Sequence, residues 1–88
     1  MKETVEYLIK RDSLKQPNRK RELVHKRAYL YNKLRESGMT LQEIGDIFER
    51  NKSSVCRWIE KYNELIKSEN KILLNDINEY DNLFQVSN

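Results

Sequence analysis

The sequence has little that bends a chain and nothing that crosslinks it. Its 88 residues include one proline and two glycines. That is too few for the turns of a sheet-rich fold, so helices with short connections are expected. The single cysteine, Cys56, excludes an internal disulfide framework and argues against a cysteine-built metal site. His25 is the only histidine and has no carboxylate cluster or second ligand beside it. No catalytic centre, metal or cofactor is therefore expected, and the chain is not read as an enzyme. No run of about eighteen apolar residues is present to span a bilayer. The first residues, MKETVEYLIKRD, lack the apolar stretch and cleavage site of a secretory leader. A cytoplasmic protein is expected. At this length the chain reads as one domain, residues 1–88, with a small core. Hydrophobic residues at 38% against 35% charged leave little apolar surface beyond that core.

What is abundant is positive charge, and it is unevenly placed. The net charge is +3. Residues 10–35 carry ten Lys or Arg against two acids, whereas residues 36–49 carry four acids and no base. Residues 50–57 return to +3 through Arg50, Lys52 and Arg57, and residues 58–88 sum to −3. A charge run alone is usually a solvated face. Two basic segments in these positions suit a phosphate backbone.

Hydrophobic periodicity predicts an all-α fold of about five helices. The first covers about residues 2–11, with Val5, Leu8 and Ile9 on one side and Tyr7 at the edge. Residues 10–18 read as a polar connection that Pro17 keeps from being helical. The second helix runs from about Arg19 to Ser37. Leu23, Val24, Tyr31 and Leu34 form its stripe, with Leu30 beside it, and Gly38 ends it. Tyr29 and Tyr31 are read as packing residues. The third helix has the clearest start in the chain. Thr40 caps it, Glu43 completes a capping box, and Met39 with Ile44 forms a hydrophobic staple. Glu49-Arg50-Asn51 is the turn. The fourth helix starts near Lys52 and turns Val55, Trp58, Ile59, Tyr62, Leu65 and Ile66 inward. Ser68-Glu69-Asn70 breaks the pattern without proline or glycine, leaving either a separate fifth helix over about 70–84 or one long bent helix. Leu73, Ile77, Tyr80 and Phe84 make its apolar face, which either packs back on the domain or pairs two copies as a homodimer.

Residues 40–60 have the pattern of a helix-turn-helix. Counting from Leu41, the small residue needed where two helices cross is Gly45, and Ile44, Phe48, Val55 and Trp58 occupy the buried slots. Lys52, Ser53, Cys56 and Arg57 face outward from the second helix of the pair, with Ser54 near the edge. Polar and basic groups on an exposed helix are what a major groove accepts. Lys52, Ser53, Ser54 and Arg57 are the candidate base contacts. Lys26, Arg27 and Arg50 are candidate phosphate contacts, with Gln42 at the start of the third helix. Asn51 is either a helix cap or a DNA contact. Trp58 reads as core before base-stacking, and Cys56 as structural or incidental.

From Arg19 to Val55 the chain resembles the C-terminal DNA-binding domain of the bacterial replication initiator DnaA, a helical module of the Trp-repressor type. Arg19-Lys20-Arg21-Glu22-Leu23-Val24 is similar to the family's R-K-R-E-I-V. Leu41 to Phe48, LQEIGDIF, is similar to its S-L-x-E-I-G-x-x-F segment, and RNKSSV over residues 50–55 takes the place of R-D-H-T/S-T-V. Asn51 and Lys52 stand where the family has Asp-His. The resemblance implies that the basic loop over residues 15–21, through Arg19, Lys20 and Arg21, reaches the minor groove, where narrow A·T-rich stretches attract arginine. No GxxxxGK[ST] occurs, so an ATPase module is not expected in this chain. RNKSSVCRW also resembles the R-S-K-S-T-V-x-R-W form of transposase and phage-regulator helix-turn-helices. The expected function is sequence-specific binding of double-stranded DNA, as a regulator or replication-associated factor. A protein-interaction adaptor and a DNA-binding subunit of a transposase or recombinase are the alternatives.

Overall fold

A computed structural model describes residues 2–16 and 20–86, the side chains of Lys2 and Val86 excepted. Five helices follow in order: α1 (Lys2–Arg11), α2 (Arg21–Glu36), α3 (Leu41–Phe48), α4 (Lys52–Lys67) and α5 (Lys71–Val86). The described residues contain no strand, and the fold is all-α as the periodicity predicts. None of their helices is long and apolar enough to cross a membrane.

α2 is the central element and packs against α3, α4 and α5. Its burial is wider than one stripe: His25, Arg27, Ala28, Tyr29, Leu30, Tyr31 and Leu34 are all buried. Neighbours lie on two sides of it, which explains the breadth. Tyr29 meets the rings of Tyr62, Tyr80 and Phe84, and on the other side Tyr31 stands edge-on to Phe48 at 4.8 Å. Such edge-to-face contacts add to the gain from burying the rings.

The helix ends follow local chemistry. Ser37 closes α2, and Gly38 adopts φ +102°. At α3 the capping box forms: Thr40 Oγ1 accepts from the Glu43 N–H at 3.1 Å, and the Thr40 N–H donates to Glu43 Oε1 at 2.9 Å. Met39 and Ile44 both join the core cluster, as a staple requires.

One alternative left open is resolved, and two expectations need correction. α4 and α5 are separate helices, because Glu69 is left-handed (φ 54°) and the Asn70 side chain accepts from the Leu73 N–H at 3.0 Å. That cap starts a new helix without proline or glycine. Ile66 is 37% exposed and does not share the inward stripe. The connection after α1 is not merely polar, since Ser13 turns left-handed (φ 54°) and drops Leu14 into the core, fully buried.

The α5 stripe Leu73, Ile77, Tyr80 and Phe84 is buried within the domain. Of the two roles left open for this face, packing back on the domain is the one observed. Asp76 and Asp81 fasten the same helix to α2 through His25 at 2.8 Å and the Tyr29 hydroxyl at 3.2 Å.

Candidate nucleic-acid interface

Glu49, Arg50 and Asn51 join α3 to α4. Glu49 takes the left-handed conformation (φ 56°) that a glycine would adopt more easily. The chain then turns back so closely that a Cβ at Gly45 would fall inside the contact distance of the Arg50 carbonyl oxygen. Gly45 is therefore needed for space, not for its own φ. The Arg50 N–H bonds the Gly45 carbonyl at 2.8 Å and fixes that approach. Ile44, Phe48 and Val55 are fully buried, while Trp58 is partly buried against the core with Lys61 Nζ 5.1 Å from its ring centre.

Asn51 is the cap of α4: its side-chain oxygen accepts from the Ser54 N–H at 2.8 Å. That bond gives Asn51 the cap role and engages only its oxygen, leaving the amide nitrogen outside this bond. Beyond it, Lys52, Ser53 and Arg57 are exposed and Ser54 is partly so. Among the described residues, Lys52 and Arg57 make no hydrogen bond or ion pair, and the first turn of α4 contains no acid. Glu60 follows one turn later, where its carboxylate lies 3.7 Å from Cys56 Sγ. The positive end of α4 is thus confined to its first two turns.

The basic residues of α2 divide between two sides. Arg27 is only 7% exposed and donates to the Leu14 carbonyl (Nε, 2.7 Å) and the Gln16 carbonyl (Nη2, 2.7 Å). Expected on the surface against phosphate, it is instead an internal clamp on the loop after α1. The signal was in the sequence: Arg27 falls at helical spacing between Val24, Tyr31 and Leu34, on the inward stripe. Lys26 has its ammonium 5.3 Å from the centre of the Tyr80 ring of α5. Gln42 is exposed at the start of α3 and donates to Asp46 at 3.0 Å.

Arg50 reaches the same loop. Its guanidinium donates to the Lys15, Phe48 and Glu49 carbonyls at 3.1 to 3.3 Å and to the Gln16 carbonyl at 2.9 Å. Arg27 and Arg50 therefore share one acceptor, Gln16. Burial and the like charge of Arg50 both lower the Arg27 pKa. The two cations, with Val24, Tyr31, Ser54, Arg57 and Trp58, line a cleft of about 470 Å³ between α2 and α4. Four expected contact residues, Arg27, Arg50, Ser54 and Arg57, are brought together there from three parts of the chain.

In the basic loop, Arg19 lies outside the described residues. Lys20 is exposed at the N-cap position of α2, and Arg21 Nε donates to Asp76 on α5 at 3.2 Å. His25 bonds the same carboxylate, making a cluster that sequence spacing hides, since 51 residues separate the partners. Burial pushes the Asp76 carboxyl up, but the hydrogen bonds from His25 and Arg21 outweigh it and hold the group below its ordinary range.

No protein-family model, curated protein or solved structure matches this chain. Among the described residues, no group of three or more His, Cys, Asp or Glu side chains is placed to hold a metal.

Proposed function

We propose that this chain binds double-stranded DNA, with α3, the turn and α4 acting as a helix-turn-helix and the start of α4 entering the major groove. The observation that carries this reading is the exposed, acid-free start of α4 beside an arginine-lined cleft. Lys52 and Ser53 point outward there with no competing contact among the described residues, as base reading requires. Ser54 and Arg57 stand between that end and the cleft. Phosphate contacts along the flank add affinity and fix the register. Lys20, Arg21 and Arg19 serve the minor groove on this reading, as the likeness to the DnaA domain implies. The protein works as a binding factor, not an enzyme, in regulation or replication in the cytoplasm. If two copies pair through α5, the exposed Ile72, Leu74 and Leu83 supply the contact, not the buried stripe.

Selection of bound sequences from a random duplex library at near-physiological salt tests the reading. A recovered motif is the expected result, and its symmetry reports the number of copies bound. Binding without enrichment that disappears as salt rises would reduce the basic surface to nonspecific contact.

A further inference from the structure

We infer that the cleft between α2 and α4 is a seat for a single phosphate group. In the setting proposed above that group is one backbone phosphate of the bound duplex, so the inference rests on that reading for its source but not for its chemistry.

The cleft is lined by three arginines and no acid. Arg50 spends its bonds on neutral carbonyls, and Arg57 makes none among the described residues. Neither has a carboxylate partner there. The carbonyls hold the Arg50 plane in place without cancelling its charge. An anion entering the cleft would meet charge that is already oriented, which lowers the ordering cost of binding.

Tyr31 supplies the second feature. The residue is 3% exposed and lines the cleft, yet its hydroxyl has no hydrogen-bond partner among the described residues. No fully buried side-chain oxygen or nitrogen there lacks a partner. The hydroxyl must therefore touch solvent, and the cleft is the cavity that Tyr31 lines. Burial pushes its pKa up, against the opposing charges of Arg50 and Arg27, so it remains a donor. A neutral donor, a serine and three arginines line one concavity. That set matches the tetrahedral oxygens of a phosphate. Val24 and Trp58 are the cleft's apolar lining.

The placement changes the role of Arg57. Ser54 and Arg57, expected from sequence at base edges, become backbone contacts, and base reading falls to Lys52 and Ser53. The phosphate also joins the recognition helix to the loop after α1, because Arg50 bonds both its own turn and that loop.

Two arms test this. In the first, inorganic phosphate is titrated into the protein, with chloride at matched ionic strength as control. The resonances of Tyr31, Ser54 and Arg57 are followed by NMR. Saturable shifts with phosphate alone are expected. Tyr31→Phe, which keeps the ring packed on Phe48, should weaken binding about tenfold, the scale of a hydrogen bond to a charged group. In the second arm, single methylphosphonate linkages are scanned along a bound duplex. Neutralising one linkage should cost the wild-type protein about tenfold and cost Tyr31→Phe much less. Duplex binding with no linkage coupled to Tyr31 and no phosphate shifts would overturn the seat and leave the DNA reading standing. Phosphate shifts without duplex binding would keep the seat, as one for a free phosphorylated ligand, and remove the DNA reading. Absence of both would remove both.

Discussion

Gly45→Ala sets two known effects against each other, and the structure decides their order. Gly45 lies inside α3, where alanine is the better helix former by about 1 kcal/mol. On propensity alone the substitution should stabilise the protein. The added Cβ, however, would sit inside contact distance of the Arg50 carbonyl oxygen. That obstacle is backbone, and a rotamer change cannot relieve it. Moving the carbonyl means moving the turn, which the Arg50 N–H holds to the Gly45 carbonyl at 2.8 Å and the Arg50 guanidinium holds to the loop after α1. Overpacking costs about 1–3 kcal/mol, and a backbone obstacle belongs at the upper end. The net expectation is a loss of about 2 kcal/mol, which a domain of ordinary stability survives while remaining folded. With a urea slope of about 1 kcal/mol/M for a small domain, the unfolding midpoint should fall by about 2 M at unchanged slope. Circular dichroism at 222 nm reads it. Gly38→Ala is the control: nothing lies within 4 Å of its Cβ position, and only the φ of +102° resists. It should cost about 1 kcal/mol and leave the α3–α4 crossing intact. A Gly45→Ala midpoint at or above wild type would show that the crossing is looser than described and refute the argument.

Arg27→Met should destabilise by about 2–3 kcal/mol in the same melts, since the Leu14 and Gln16 carbonyls lose charged donors. A loss below about half a kcal/mol would show that the loop does not need this clamp. Asn51→Ala should cost about 1 kcal/mol of stability as a lost cap, while Asn51→Asp retains it. If base preference at one position relaxes in both variants with stability unchanged, Asn51 is a reader after all. Asp76 is held below its ordinary pKa, so its stabilisation is present at neutral pH and is lost as pH falls through the acid range below about 4. Asp76→Asn should therefore destabilise by about 1–3 kcal/mol at pH 7 and by much less at pH 3. An equal deficit at both would assign the loss to packing. Arg57→Ala should weaken binding alike on all duplexes and lower the salt slope by about 1, whereas selective loss at one base pair would return Arg57 to base reading.

Legibility followed the range of the interaction. The capping box at Thr40, the end at Gly38 and the α5 stripe were readable because each depends on residues within a turn or two. The break between α4 and α5 was half readable. Asn70 is a good cap by type, but nothing local said that Glu69 would turn left-handed. Leu14 was hidden because one apolar residue in a polar stretch has no period. Arg27 was misplaced by weighing its charge above its spacing.

The sequence by itself determined an all-helical chain, where most helices start and stop, and two concentrations of positive charge flanking an acidic stretch. These depend on propensity, periodicity and composition, which act locally. Only the tertiary structure decided what each cation contacts within the domain. Arg27 turns inward, Lys26 goes to the α5 side, Arg21 goes to Asp76, and Arg50 bridges its own turn and the loop after α1. Lys52 and Arg57 are left without such contacts among the described residues. The reason is that a charged side chain is claimed by whatever partner packing brings beside it, and apart from the acceptors in Arg50's own turn those partners lie 11 to 55 residues away in sequence.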